Sequence, residues 1–335
     1  MDWFQRHLKD IYEPGYRRRL LAPLRILYQQ VVSYRYLRAK KTLRQIDPDL
    51  GIPVVVIGNL TLGGTGKTPV VIALVEALRG RGFKPAVVSR GYGAKWKKGD
   101  LPRVVNIDSI AGDVGDEPKL IFMRAMCPVV VCPDRKKAAL KIKAIFPDCD
   151  VIVSDDGLQH YGLKRQVEVV VMDEVRGLGN GLCLPEGPLR EPILRLKTVD
   201  IVLSQGASSV AIDRVYSVLN PMLSYSFNEF TKKVVGKRVH AIAGIGYPEK
   251  FFELLKRHGL NCLIHSFPDH HNYQLSDFSF FQPEEILVMT QKDEVKCSLI
   301  FKPSEGYENR IWCVSISASL ALDVIEKIVS LLTKK

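Results

Sequence analysis

The segment that most restricts what this chain can become runs from Pro53 to Leu78. An apolar Pro53-Val54-Val55-Val56-Ile57 leads into Thr61-Leu62-Gly63-Gly64-Thr65-Gly66-Lys67-Thr68, and a helix-patterned stretch from Val70 to Leu78 follows. A buried strand feeding a glycine-rich turn and then a helix N-terminus directs backbone N–H groups and the positive end of a helix dipole at one point, which suits a polyphosphate. In such a loop Thr61, Gly63, Gly64, Thr65 and Gly66 form the cradle, Lys67 holds the outer phosphates and Thr68 binds magnesium. Thr61 stands where the usual G-x-x-x-x-G-K-[ST] pattern has its first glycine, so the strict pattern fails by one residue.

The surrounding pattern extends this unit into a sheet. Apolar runs at 54–57, 85–89, 129–132, 151–154, 167–172 and 201–204 alternate with helix-like stretches, as in a P-loop NTPase-like α/β fold whose parallel sheet is covered by helices on both faces. Each run ends in a polar or glycine-bearing cluster, and ligands of such sheets gather beyond the carboxyl ends of the strands. The pattern weakens between 205 and 235, which suggests a junction. Beyond it, strands at 239–245, 262–266, 286–290 and 311–316, a helix at 248–258 and a final amphipathic helix at 317–332 read as a second, smaller α/β domain. The expected organisation is a basic helical arm at 1–48, a kinase-like core at 49–220 and a closing domain at 221–335.

Charge and cysteine usage narrow the setting. The 335 residues carry a net charge of +12, and the first 45 hold eleven Lys and Arg against three Asp and Glu, so about +8 lies in the arm. Basic residues there interleave with Trp3, Phe4, Leu20, Leu21, Leu24 and several tyrosines, the composition of a helix in a membrane interface. A nucleic-acid patch is the competing reading, but no nucleic-acid motif accompanies the charge; a helix simply packed on the domain is the other. No apolar run reaches the roughly 18 residues of a spanning helix. Seven cysteines without a C-x-x-C pair fit a reducing compartment better than a disulfide framework or zinc site.

Carboxylates follow several of the apolar runs. Ser154-Asp155-Asp156 resembles the strand-end acids that orient magnesium opposite the loop threonine, and Asp173 after 167–172 fits the same description, so spacing leaves both open. Gly115-Asp116-Glu117-Pro118 offers a further acidic pair. Phe267-Pro268-Asp269-His270-His271 sets histidine beside aspartate, a combination able to take a proton from an alcohol during phosphoryl transfer, although an isolated pair of this kind is more often a surface or structural contact. Leu189-Arg190-Glu191-Pro192 is a proline-fixed turn able to clamp charged oxygens.

Taken in order, Gly58 to Pro69, Ser89-Arg90-Gly91-Tyr92-Gly93, Gly115 to Pro118, Ser154-Asp155-Asp156-Gly157-Leu158-Gln159-His160, Arg176-Gly177-Leu178-Gly179-Asn180-Gly181, Gly187 to Pro192 and Phe267 to His271 strongly resemble the tetraacyldisaccharide 4'-kinase (lipid A 4'-kinase) family. The likeness spans roughly residues 10 to 300, and Thr61 agrees with the family's own loop variant. It implies transfer of the γ-phosphoryl of ATP, with Mg2+, to the 4'-hydroxyl of a tetraacylated glucosamine disaccharide 1-phosphate, giving lipid IVA at the cytoplasmic face of a Gram-negative inner membrane. The implied protein is peripheral, with no nucleic acid and no obligate protein partner. Carried over by position, Lys67 and Thr68 bind phosphates and metal, Asp116 is the base, and His270 its partner, with His271 the neighbouring alternative. Asp155, Asp156 and Glu191 are the implied metal- and phosphate-organising acids, while Arg190, Glu117, Gln159, His160 and Asn180 belong to the same site. Two other classes compete. A GTPase would need a guanine-reading Asn/Thr-Lys-x-Asp, and Thr290-Gln291-Lys292-Asp293 has its lysine displaced by one. A non-catalytic ATP-driven assembly protein would leave Asp116, His270 and the Arg190-Glu191 turn unexplained.

Overall fold

In the computed structural model, residues 11–12, 19–97, 99–205, 210–297, 300–301, 307 and 309–333 are described. Trp3, Phe4, Arg17 and Arg18 of the basic arm lie outside the described residues. Valine-rich runs build the first sheet: β1 (Val54–Gly58), β2 (Pro85–Ser89), β3 (Arg103–Val104), β4 (Val129–Val131), β5 (Val151–Ser154), β6 (Val167–Asp173) and β7 (Ile201–Gln205). β-Branched side chains suit a pleated surface buried on both faces, and every residue of β1, β2, β4 and β5 is buried. The strand order is β3-β4-β2-β5-β1-β6-β7. β1 lies centrally, with Val55 level with Val153 of β5 and Val167 of β6, and β3 alone runs antiparallel to its neighbour.

Helices α1 (Ala22–Leu43), α2 (Lys67–Gly80), α3 (Asp116–Ala125) and α4 (Arg135–Ile145) accompany this sheet. Val70, Leu74 and Leu78 of α2 pack with Ile121 of α3 over one face. Ala138, Ala139 and Ile142 of α4 join Leu60 and Leu158 over the other. Helix α4 starts where it does because the Asp134 carboxylate accepts the N–H groups of Lys136 and Lys137, an N-cap that satisfies two otherwise open donors.

The second sheet contains β8 (Val210–Ser217), β9 (Ser224–Tyr225), β10 (Val239–Ala243), β11 (Leu263–Ser266), β12 (Ile286–Thr290) and β13 (Ile311–Ala318). Its order is β11-β10-β12-β13-β8-β9, with β8 antiparallel to β13 and to β9. Helices α5 (Phe227–Lys233), α6 (Pro248–Arg257) and α7 (Gln291–Cys297) belong to this lobe, and Trp312 is fully buried in its core with Phe230 and Phe251. Two features depart from the expected layout. The second sheet begins at 210, before the boundary expected at 220, because β8 pairs along most of its length with β13. The first residues of β8 are half-buried or exposed, which weakened the apolar signal. The last helix, α8 (Leu322–Thr333), begins five residues later than expected because Ser317 and Ala318 continue β13 opposite Ala211 and Val210. It returns to the first lobe, where Ile328 is buried with α2 residues.

A buried ion network closes the far side of β6. Glu168, 1% exposed, pairs with Arg195, with Arg165 at 3.4 Å and with Arg44 at 3.1 Å. Removing one partner of a buried ion pair strands the remaining charge, which costs about 3–5 kcal/mol. Glu168→Ala is therefore expected to lower the unfolding free energy by that amount in urea titrations, with Glu168→Gln losing less. An unchanged urea midpoint for the alanine variant would show that Arg165 is satisfied by its carbonyl partners and Arg195 by Thr198 and Glu191 alone.

Candidate active site

The loop after β1 sits at the carboxyl edge of the sheet and is stitched into place before any ligand arrives. Gly66 adopts left-handed backbone (φ 77°) as the residue preceding α2, so that Lys67 and Thr68 begin the helix. Thr61 needs no glycine conformation because it forms an extended bridge with Leu189. On either side of it, the Leu62 N–H donates to Pro188 O at 2.9 Å and the Arg190 N–H to Leu60 O at 2.6 Å. The loop and the 188–190 turn thus form one unit, and α1 braces its back: the Tyr28 hydroxyl donates to Arg190 O at 2.9 Å and Arg25 pairs with Glu186 at 2.8 Å.

Asp116 opens α3 behind Gly115, whose φ of 94° and crowding rule out a side chain, since a Cβ there would lie 2.7 Å from Tyr92 O. The Asp116 carboxylate is 4% exposed and meets His270 from the second lobe, with Nδ1 3.0 and 3.1 Å from its two oxygens. An ionised carboxylate only accepts, so Nδ1 carries the proton. His271 instead contacts Asp277 at 2.9 Å. Lys292, at the start of α7, lies 2.9 Å from Glu117, 3.9 Å from Asp116 and 3.8 Å from Asp269. Burial pushes the Asp116 carboxyl up, but the His270 hydrogen bond, Lys292 and the His270 charge outweigh it and hold the group at about 2.

The other acids divide in a way their adjacency hides. Asp155, 1% exposed, accepts the Ser89 hydroxyl at 3.0 Å, while its other oxygen has no hydrogen-bond partner. Burial, then the neighbouring Glu117 and Asp156 carboxylates, raise its pKa against the pull of Lys67. Asp156 has a left-handed backbone (φ 45°) that turns it to Arg190, 3.2 Å away, and Lys67, 3.5 Å away. Although burial opposes it, Lys67 and Arg190 hold that carboxyl well below its ordinary range. Glu191 faces Arg195 at 3.5 Å, and burial pushes it up to about 7 against that guanidinium. Among the described residues, no set of three or more Asp, Glu, His or Cys is grouped as a metal cage. Asp156 is turned by its φ to Arg190 and Lys67 and Glu191 faces Arg195, so the three acids expected to organise metal and phosphate have separate partners. Asp173, the alternative strand-end acid, is taken by Lys250 of α6 and by the N–H groups of Val175 and Arg176.

Of the remaining expected residues, Gln159 donates to Asn59 O at 3.1 Å, beside the loop. His160 lies near Asp134, with Nε2 4.0 Å from its carboxylate, and burial with Arg135 pushes it down to about 4, so it is neutral at physiological pH. Asn180 braces its own loop through Glu186 O and Leu182 N–H, both at 3.0 Å. Several residues escaped the sequence reading. Lys292 was considered only as part of a failed guanine motif, and Ser89 and Tyr92, whose ring centroid is 4.8 Å from that of His270, only as members of a glycine-rich block without a role of their own.

Comparisons with known proteins agree with this geometry. A family model described as tetraacyldisaccharide-1-P 4'-kinase matches residues 17–333. A tetraacyldisaccharide 4'-kinase of Alcanivorax borkumensis is 46% identical over 314 residues, 92% of this chain and 92% of that one. One of Coxiella burnetii strain RSA 493 is 41% identical over 299 residues, 89% and 86% of the two chains. Among solved structures, LpxK from Aquifex aeolicus, described as in complex with ATP, has the same fold, with a TM-score of 0.74 at 24% identity over 94% of this chain and 99% of that one.

The charge on Asp116 has a measurable signature. A carboxyl whose pKa falls from 3.8 to about 2 on folding stabilises the native state above the unfolded pKa, and that contribution is lost as pH falls through the folded one. The shift corresponds to about 2 kcal/mol. The difference in unfolding free energy between the parent and Asp116→Asn is expected to widen from pH 3 to pH 5 and stay level up to pH 7 in urea titrations. A difference independent of pH across that range would show that His270 and Lys292 do not stabilise the ionised form.

Proposed function

Because this chain belongs to the tetraacyldisaccharide-1-P 4'-kinase family, we propose that it transfers the γ-phosphoryl group of ATP to the 4'-hydroxyl of a tetraacylated disaccharide 1-phosphate, a step of lipid A biosynthesis. The observation that carries this reading is Asp116, held ionised by His270 and Lys292 at the sheet edge that bears Lys67. The acceptor oxygen bonds to the γ-phosphorus as the bond from that phosphorus to the β,γ-bridging oxygen breaks, ADP leaves, and the hydroxyl proton passes to the Asp116 carboxylate. A carboxylate held near 2 is a weak base, but the loose transition state of phosphoryl transfer asks chiefly for positioning and late proton acceptance. His270 fixes the orientation of Asp116 through Nδ1–H. Lys67 is the loop cation for the transferring charge.

The oxygen donors at the loop fit a hard divalent cation. The unpartnered buried oxygen of Asp155 and the Thr68 hydroxyl would hold Mg2+, which when bound supplies charge neutralisation to the phosphates. Asp156 and Arg190 act beside it as phosphate-side partners of Lys67 rather than as ligands.

For the lipid acceptor we propose peripheral contact with an anionic membrane surface, the cytoplasmic face of an inner membrane. Among the described residues no helix is long and apolar enough to cross a membrane. On α1 and the turn before it, Leu20, Leu24, Leu27, Val31 and Tyr34 recur at three- and four-residue spacing, and each is more than half exposed. Such spacing places them on one helix face. Exposed Arg35, Arg38, Lys40 and Lys41 continue the helix, while its opposite face is tied down through Arg25 and Tyr28. An outward apolar stripe with basic neighbours suits the headgroup boundary of an anionic bilayer.

With radiolabelled ATP and the disaccharide lipid in detergent, the parent is expected to form the bis-phosphorylated lipid. Lys67→Ala should lose on the order of 10²–10³ in kcat, and Asp116→Ala should lose kcat with little change in ATP KM, both with parent-like melting. A parent that leaves the lipid unphosphorylated would end the reading. Separately, Leu24→Ser/Leu27→Ser/Val31→Ser should sediment with anionic vesicles at least tenfold more weakly while keeping activity on detergent-dispersed lipid. Parent-like sedimentation of that variant would assign α1 to packing alone.

A further inference from the structure

The loop after β6 carries an arginine that the reaction as described leaves without a task. The Arg176 guanidinium is sandwiched between two tyrosine rings, 4.5 Å from the centroid of Tyr12 and 4.3 Å from that of Tyr247. Its backbone is fixed by Asp173, whose carboxylate accepts the N–H groups of Val175 and Arg176 at 3.0 Å and whose carbonyl accepts the Gly177 N–H at 2.8 Å. The same carboxylate pairs with Lys250 of α6, so the segment presenting Arg176 is tied to the second lobe. The side chain is half-buried, and among the described residues its guanidinium makes no hydrogen bond or ion pair. Lys67, Arg190 and Lys292, by contrast, each face a carboxylate within 3.5 Å.

What Arg176 does face is the phosphate loop. A Cβ built on Gly63 would lie 3.2 Å from its Nη1, so the guanidinium lies directly over that residue of the loop. The next residue is overlain from the second lobe, since a Cβ on Gly246 would lie 3.2 Å from the Gly64 N atom and 3.1 Å from an Asp269 oxygen. Asp269 immediately precedes His270, the partner of Asp116. The space bounded by Gly63, Gly64 and Asp269 therefore lies between the loop that holds the donor phosphates and the carboxylate that accepts the proton. A planar fork of N–H donors, preoriented by aromatic stacking and unspent on protein acceptors, is suited to oxygens that gain charge in transit.

Resting on the kinase reading above, we propose that Arg176 is an arginine finger supplied in cis, which engages the phosphoryl group as it leaves the nucleotide, and that Tyr12 and Tyr247 hold its plane. A residue acting on the transferring group stabilises the transition state more than bound nucleotide, so its loss falls on kcat. Fingers of this kind contribute on the order of 10³–10⁵ in rate. Neutral donors aimed at developing charge contribute on the order of 10²–10³. Lysine in its place keeps the charge but lacks both the fork and the flat stacking surface.

The test compares Arg176→Ala, Arg176→Lys and Tyr247→Leu with the parent in full-length enzyme. Arg176→Ala is expected to reduce kcat at least a hundredfold with ATP KM and ADP affinity within about threefold of the parent. Arg176→Lys should recover no more than a tenth of the loss, and Tyr247→Leu should show an intermediate loss. Added guanidinium at millimolar concentration should restore part of the Arg176→Ala rate and none of the Arg176→Lys rate. Independently of turnover, ADP with magnesium, aluminium and fluoride, a mimic of the phosphoryl in flight, should raise the melting temperature of the parent well beyond ADP and magnesium alone. The alanine variant should lose that increment while keeping the shift due to ADP. If Arg176→Ala keeps kcat within threefold, keeps the fluoride increment, or loses ADP affinity as much as kcat, the finger is overturned and Arg176 is a strut between the lobes. If the parent does not phosphorylate the lipid but the fluoride increment still depends on Arg176, the acceptor assignment fails and the finger stands.

Discussion

The arrangement depends on one ammonium group. Lys292 comes from the second lobe and lies, only 17% exposed, within 4 Å of Glu117 and Asp116 of the first lobe and Asp269 of its own. Three carboxylates brought together in a cleft repel one another, and each loses hydration. A cation in their midst makes the gathering tolerable, since opposite charges at such distances favour the ionised forms. The three acids in turn raise the pKa of the lysine against its burial, so it stays charged. The pairing of Asp116 with His270 and the approach of the second lobe to the first are thus two results of the same electrostatic condition.

The phosphate loop shows the same logic in reverse. Lys67 and Arg190 come from separate segments and both reach Asp156, so a carboxylate already sits in the company that a phosphate requires. On the kinase reading proposed above, an arriving polyphosphate would compete with Asp156 for the two cations that face it. Preorganised charge of this kind lowers the reorganisation needed when charge develops during reaction.

Some of this was legible in the sequence. The strand, loop and helix from Val54 to Gly80 were, because glycine spacing and apolar periodicity point the same way there. The alternation that follows revealed a parallel sheet for the same reason. The partnership of Asp116 with His270 came through the family resemblance, since the two residues lie 154 positions apart and no local period connects them. Lys292 was invisible for a like reason: its meaning lies in three acids drawn from distant loops. Asp155 and Asp156 read as a matched pair, yet a left-handed φ at the second sends them to different partners, and adjacency cannot disclose a backbone sign. Strand β8 was missed because its early residues are not fully buried, so pairing with β13 rather than burial defines it.

The return of α8 to the first lobe bears on how the chain is made. Ile328 completes a core that includes Val70, Leu74 and Val169, although β7, the last strand of that sheet, ends at Gln205. At about 5–20 residues per second, synthesis of the intervening segment occupies roughly ten seconds, during which the first lobe has its sheet but lacks one of its covering helices. The apolar surface along α2 that Ile328 covers is therefore left open until α8, which follows the whole second lobe, has been made.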